Sequence, residues 1–410
     1  MNVERGKLDR RNFLKTVGAS GLGVVLAVGK LKADANEPNK PKKEKEEKFT
    51  QVPKRVLGKT GVEVPVLSLG IMYNAVDRQI VLKKAVDWGV TFWDTAYGYA
   101  GGNSELGIGN FIAKNPDIRK DLFIVTKASD AESVADVEKR LQESLKRMNT
   151  NYIDLYYGVH GLNDPANLTS ELKQWAADAK KRKLIKFFGF STHTNMAKCL
   201  AGASKLDWID AIMPSYNFRL MQKPEMQDAV EACSKANIGL IAMKIQGHKV
   251  ETEGDKKLAD HFMKSGFTEG QAKIKIVLED KRIAVACLGG DNITHLTLNI
   301  AAVLDKTQLT IADKNVFSEY ALATCSGYCA GCSQICELAL ADKLYINEVM
   351  RSLMYYNSYG LHDQARQTFA QIPSEARNRL LNIDYTAAEH RCPQHLPIAR
   401  LVTEAVSKLA

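Results

Sequence analysis

The chain is 410 residues long, with 45% hydrophobic and 25% charged residues. That is room for two or three domains, or for one large barrel with an appendage, and it excludes disorder throughout, collagen, a disulfide-dense miniprotein and a polytopic membrane protein. The net charge is +9, but residues 1–35 alone hold 7 Lys/Arg against 3 Asp/Glu, so no nucleic-acid partner is expected.

The first element reads as an address. Asp9-Arg10-Arg11-Asn12-Phe13-Leu14-Lys15 precedes a mildly apolar stretch, and Ala33-Asp34-Ala35 supplies a small-x-small cleavage pattern. Basic start, apolar middle and small-residue end make a secretory signal over 1–35, with an N-terminal anchor as the alternative. The paired arginines resemble the twin-arginine (Tat) export signal. That resemblance implies the Tat machinery as a partner, a periplasmic location, and a cofactor acquired before export. Residues 36–53 follow as a linker: NEPNKPKKEKEEKFT (36–50) is charged, proline-bearing and nearly free of apolar residues.

From residue 54 to about 305 the pattern alternates. Apolar runs of strand length occur at 64–70, 90–96, 122–127, 152–157, 185–191, 209–215, 238–244 and 283–290. Helical spacing separates them. Val134, Val137, Leu141, Leu145 and Met148, for example, share one helix face. Strands alternating with helices imply a parallel sheet, and eight units in about 250 residues predict an α/β fold of the (β/α)8 TIM-barrel type. An open doubly wound sheet is the alternative, but Leu69-Gly70-Ile71-Met72-Tyr73 is not its glycine fingerprint.

In such a barrel the strand C-terminal ends form the active face. Asp94 lies near the end of the second run, with Tyr99 beyond it. Lys127 ends the third and His160 lies just past the fourth. The four together suit carbonyl reduction, which needs a proton donor for a developing oxyanion. Tyr99 is the candidate donor, with Lys127 expected to lower its pKa. Asp94 would hold Lys127, and His160 would orient the carbonyl. Tyr97 competes as the acid.

These residues carry a resemblance to the aldo-keto reductases. Lys54-Arg55-Val56-Leu57-Gly58-Lys59-Thr60-Gly61 is similar to the family's opening, and Asp94-Thr95-Ala96 with Tyr99 to its next block. Glu105-Leu106-Gly107-Ile108-Gly109, Val125-Thr126-Lys127 and Tyr152-Ile153-Asp154-Leu155-Tyr156 with His160 follow in the family's order. The resemblance implies a barrel over 54–312, the tetrad Asp94, Tyr99, Lys127 and His160, and the choice of Tyr99 over Tyr97. It implies NAD(P)(H) as cofactor, with Ser191, Gly289, Gly290 and Asn299 in binding positions. Two departures stand out: Thr192 and Met213 replace the usual Asn and Gln, and Asp291 is a poor neighbour for a 2′-phosphate.

Residues 313–410 read as a small, mainly helical metal-binding domain. Five of the eight cysteines lie there, as Cys325-x3-Cys329-x2-Cys332-x3-Cys336 and Cys392-Pro393. Such clusters hold iron–sulfur centres through thiolates; zinc and, after export, disulfides are the alternatives. In two-cluster ferredoxins three local cysteines combine with a distal one before proline. The set here is Cys325, Cys329, Cys332 and distal Cys392, giving one 4Fe–4S cluster and leaving Cys336 without a role. The tail, about 315–410, resembles the ferredoxin-like extension on a branch of exported aldo-keto reductases.

The expectation is thus an exported oxidoreductase acting on a small carbonyl or alcohol substrate, with an iron–sulfur tail that suits a redox partner protein. The alternative is a periplasmic binding or electron-transfer module on a catalytically inactive barrel.

Overall fold

The computed structural model describes residues 49–247, 253–340 and 343–410. The expected export signal and nearly all of the linker lie outside the described residues. Gln51–Ala410 forms one compact unit. No helix among the described residues is long and apolar enough to cross a membrane.

Eight parallel strands close into a barrel: β3 (Leu67–Gly70), β4 (Phe92–Asp94), β5 (Phe123–Lys127), β6 (Ile153–His160), β7 (Ile185–Thr192), β8 (Ala211–Pro214), β9 (Gly239–Ala242) and β10 (Ile283–Gly289), with β10 pairing β3 to complete the ring. The run 64–70, expected as one strand, is two. Its first part, β2 (Glu63–Pro65), pairs antiparallel with β1 (Lys54–Val56). Pro65 has no N–H to carry a ladder onward. The next N–H, of Val66, donates to Pro53 O at 2.8 Å, and the chain turns from hairpin into barrel.

Strand alternation decides which side chains fill the barrel. Phe92 packs in the interior, whereas Trp93 packs in the cluster beneath the outer helices. Asp94, two residues beyond Phe92, therefore shares its inward face. Phe123, Val125 and Lys127 repeat the pattern on β5. Phe92, Phe123 and Phe187 stack in series, with centroids 4.9 and 6.3 Å apart. Each fully buried ring contributes roughly 1.5–3 kcal/mol. Leu57 and Val64 from the hairpin join this inner cluster.

The Glu105–Gly109 block is structural. Its helix, Asn103–Lys114, approaches two other segments at backbone contact. A Cβ on Gly107 would lie 2.3 Å from the Ala75 carbonyl carbon, and one on Gly109 2.1 Å from Arg147 O. Glu105 is fully buried, accepts a hydrogen bond from Thr126 Oγ1 at 2.6 Å and pairs with Arg147 at 3.2 Å.

The barrel's apolar packing does not stop at residue 312. The helix Ile311–Ala323 buries Phe317 and Tyr320 against Phe218, with centroids 5.2 and 5.7 Å apart. Arg219 then donates to Thr324 Oγ1 at 2.5 Å, and Asn217 Nδ2 to the Tyr328 hydroxyl at 3.0 Å. Beyond Tyr328 a second core begins. Its helices Ile346–Asn357, His362–Ala370 and Ile398–Leu409 bury residues from Leu344 to Leu409. This helical tail sits on the barrel. Asn195 N donates to Gly331 O at 2.7 Å, and Asn347 donates to the Thr194 hydroxyl.

Candidate active site

The strand ends bring Asp94, Lys127, Tyr99 and His160 into one group. Lys127 Nζ donates to both Asp94 oxygens, at 2.7 and 2.8 Å, and to Thr95 O at 2.6 Å. The pair is almost fully enclosed, with side chains 1% and 5% exposed. The Lys127 ammonium lies 4.8 Å from the centre of the Tyr99 ring, and His160 meets that ring edge-on at 5.9 Å. His160 Nδ1 is 3.0 Å from Ser129 Oγ, which also accepts from Gly98 N at 3.2 Å. Ser129 Oγ can donate to Nδ1 of the tautomer protonated at Nε2 or accept from Nδ1–H of the other. Burial, and then the charge of Lys127, hold His160 well below an ordinary histidine pKa, so the ring is neutral at pH 7.

The expected tuning of Tyr99 is corrected. Its pKa is not lowered by Lys127 but raised well above 10, by burial first and then by Asp94. The reason is local. Lys127 gives its charge to Asp94 and Thr95 O, so the phenol meets a nearly neutral pair in a dry site. Tyr99 is thus a proton donor that stays protonated, not a partly ionised acid. Tyr97, its competitor, points elsewhere. Its hydroxyl donates to Glu143 at 2.9 Å and accepts from Arg140 at 3.1 Å.

A cavity of about 520 Å3 opens beside the tetrad. Tyr99 and Asp94 line it, while Lys127 and His160 stand behind its wall. Gly289, Gly290 and Asn299, expected at the cofactor, are on the wall; Ser191 is not. Ser191 Oγ instead accepts from Gly161 N at 3.2 Å, inside the β6–β7 end. The expected phosphate seat at the last barrel helix, Ile293–Leu304, is partly taken by the chain itself. Asn292 accepts from His295 N at 2.9 Å, and Asp291 sits 2.9 Å from His295 Nδ1. Asn299 Nδ2 donates to Gly289 O at 3.1 Å.

Several wall residues carried no assignment in the sequence. His193, after β7, lines the cavity and is buried and neutral. Lys244, two residues past β9, lines it as well; ending an apolar run, it bore the same signal as Lys127. Cys287 of β10 is on the wall, as are Tyr73 and the tail residues Tyr355 and Tyr359. The Tyr73 hydroxyl is buried with no hydrogen-bond partner among the described residues, a group open to a ligand. Open space faces Gly289, where a Cβ would meet nothing within 4 Å. A mostly apolar, glycine-flanked cavity with a few polar groups fits a nicotinamide and a small substrate.

The tail cysteines are rearranged relative to expectation. The thiols whose charges bear on one another are Cys329, Cys332, Cys336 and Cys392. Cys329 and Cys336 also pack against the second core, which contains Cys392. Cys325 is not in this group; Cys336 is. Cys325 begins the turn Cys325–Gly327 that ends the barrel-docked helix, and the Thr324 and Tyr328 contacts keep that turn on the barrel. Burial pushes the Cys336 thiol up to about 12. All eight cysteines are free. Among the described residues no three His, Cys, Asp or Glu side chains gather as ligands for one metal ion.

A closed parallel barrel with a buried Lys–Asp pair beneath a tyrosine at its mouth defines a barrel oxidoreductase. Residues 68–314 match the model of the aldo/keto reductase family, and the chain belongs to that family. It is 25% identical over 314 residues to the L-glyceraldehyde 3-phosphate reductase of Escherichia coli K12, covering 64% of this chain and 90% of that protein. It is 27% identical over 288 residues to the NADP(+) aldo-keto reductase yakc of Schizosaccharomyces pombe, covering 62% and 79%. An aldo-keto reductase from Bacillus halodurans, in its holo form, shares the fold with a TM-score of 0.55 at 20% identity, covering 66% of this chain and 96% of its own.

Proposed function

We propose that this chain is an exported carbonyl reductase that uses NAD(P)(H), works on a small carbonyl or alcohol, and carries one 4Fe–4S cluster in its tail. One observation carries the catalytic part. The Asp94–Lys127 pair lies under Tyr99, beside a cavity that Gly289 and Gly290 also line. A nicotinamide held in that cavity would supply the hydride for the carbonyl carbon. Tyr99 gives its proton to the carbonyl oxygen, and the resulting phenolate recovers one from water. A raised phenol pKa still permits this, because the reduced substrate's alkoxide is a stronger base than a phenolate. His160, neutral and edge-on to the Tyr99 ring, helps to fix the position of that ring. Lys127 pairs with Asp94 beneath the Tyr99 ring and so offsets the charge of that carboxylate.

The cluster reading is supported by four thiols whose charges bear on one another. Each thiolate of a cubane binds a different iron, so its ligands stand further apart than those of one zinc ion. The ligand set proposed is Cys329, Cys332, Cys336 and Cys392. The twin-arginine motif supports export, and the periplasm remains the proposed location. A cluster in the tail also suits electron exchange with a redox partner protein.

The test of the catalytic reading is Tyr99→Phe beside Tyr97→Phe. Tyr99→Phe removes one hydroxyl and should lower carbonyl reduction by roughly 10²–10⁴-fold, with nicotinamide affinity kept. Tyr97→Phe, whose hydroxyl serves Glu143 and Arg140, should turn over within a few-fold of the parent. Parity of the two variants, or purified holoprotein without nicotinamide affinity, overturns the reading.

A further inference from the structure

Among the described residues, two cations at the barrel mouth have no anionic partner. Lys244 follows β9 with its backbone in the left-handed region, φ 56°, and its ammonium lies 4.8 Å from the centre of the Tyr355 ring. Arg351 comes from the tail helix Ile346–Asn357. Its Nε is buried and has no hydrogen-bond partner among the described residues. Among the described residues, neither side chain pairs with an Asp or Glu. The charges that bear on Lys244 are Arg351, which is repulsive, and the Cys329 thiol. Two neighbouring cations with little access to water are costly unless an anion joins them.

Their position says where that anion would sit. A second cavity, of about 80 Å3, is lined by His193, Ser215, Lys244, Cys329, Asn347 and Arg351 among others. His193 and Lys244 also line the larger cavity, so the small one adjoins the space beside Tyr99. The charge of Arg351 reaches Tyr99, His160 and His193. The opening has room for a carboxylate or a phosphate and little more. The glycines expected to face the dinucleotide lie on the β10 side.

We propose that Lys244 and Arg351 form an anion subsite, and that the substrate is a small carbonyl compound with a carboxylate or phosphate within a few bonds of the reacting carbon. This deepens the reductase reading and rests on it. It also gives the tail a function in substrate selection, because Arg351 belongs to the tail and Lys244 to the barrel. A guanidinium suits both anions, since its fork matches two oxygens at once.

The experiment uses the holoprotein and Arg351→Gln, with Arg351→Lys as the conservative control. Three carbonyls of similar size are compared: a 2-oxo acid, a phosphorylated hydroxyketone and an uncharged ketone. Wild type should prefer one of the anionic pair, and which one identifies the anion. Arg351→Gln should lower kcat/KM for that substrate roughly 10–100-fold, mainly through KM, with the uncharged ketone within about 3-fold. Arg351→Lys should recover part of the loss. Dinucleotide affinity and iron content should not move. Binding of oxalate and inorganic phosphate by calorimetry reads the subsite without turnover; one should bind wild type and be lost in Arg351→Gln. Equal use of charged and uncharged carbonyls by an active wild type overturns the subsite and leaves the reductase reading standing. So does loss of dinucleotide affinity or iron in Arg351→Gln, which would give the cations to those groups. Anion binding with no carbonyl reduced would instead overturn the reductase reading and keep the subsite.

Discussion

Removing Lys127 should expose the cost of the buried pair beneath Tyr99. Lys127→Met keeps the length and apolar stem of the side chain but takes three hydrogen bonds away at once, two from Asp94 and one from Thr95 O. Asp94 is then a carboxylate 4% exposed with no cation against it. Breaking one partner out of a buried pair costs about 3–5 kcal/mol. Asp94→Asn leaves the ammonium unpaired and should cost a similar amount. The double variant removes both charges and should cost less than the sum of the singles, since no buried ion remains. The assay is urea unfolding at pH 7, followed by fluorescence. Trp93, fully buried next to Asp94, is a local reporter. The pH dependence supplies a second check. Burial already raises the Asp94 pKa, and Lys127 opposes that rise. Without Lys127 the folded pKa climbs further above the unfolded value. An acid shifted this way contributes stability that is present below the unfolded pKa and lost as pH rises through the folded pKa. The deficit of Lys127→Met should therefore shrink on acidification. Single variants that each cost under about 1 kcal/mol, with full additivity in the double, would refute the reasoning.

The thiol arrangement makes Cys336 and Cys325 trade places. Cys336→Ser and Cys392→Ser should each lose most of the iron and sulfide of anaerobically prepared protein, while Cys325→Ser keeps both; the reverse order would return the ligand role to Cys325, and one zinc without sulfide would remove the cluster. His160 should show no titration near its ordinary pKa when followed by NMR. Its folded pKa is depressed, so its stability contribution is present above about 6.5, the unfolded value, and is lost as pH falls from there through the folded pKa.

Much of this protein was legible in its residue order because the information is local. A strand's inward face repeats every two residues, so apolar runs at helical separations specify a parallel barrel. The same alternation puts Asp94 and Lys127, at run ends, inside the mouth. Val134–Arg147 was readable from one apolar face. The split at Val66 was not, because the pairing that divides the run comes from Lys54–Val56, another segment. The electrostatics of Tyr99 also lay beyond the sequence. Lys127 ends the next apolar run, but only packing shows that Asp94 and Thr95 O absorb its charge and that burial dominates. Spacing in the cysteine motif could not choose between Cys325 and Cys336. Which thiols come near one another depends on where the chain leaves the barrel, and the Arg219–Thr324 and Asn217–Tyr328 hydrogen bonds hold it on the barrel as far as Tyr328. Arg351 had no sequence signal at all. It is one charged residue on a tail helix, and it becomes part of the barrel mouth only because the second core docks that helix beside Lys244. Local periodicity determined the barrel and the inward face of its strands; long-range docking decided which charges share a cavity, because charge, burial and thiol proximity depend on distance in space.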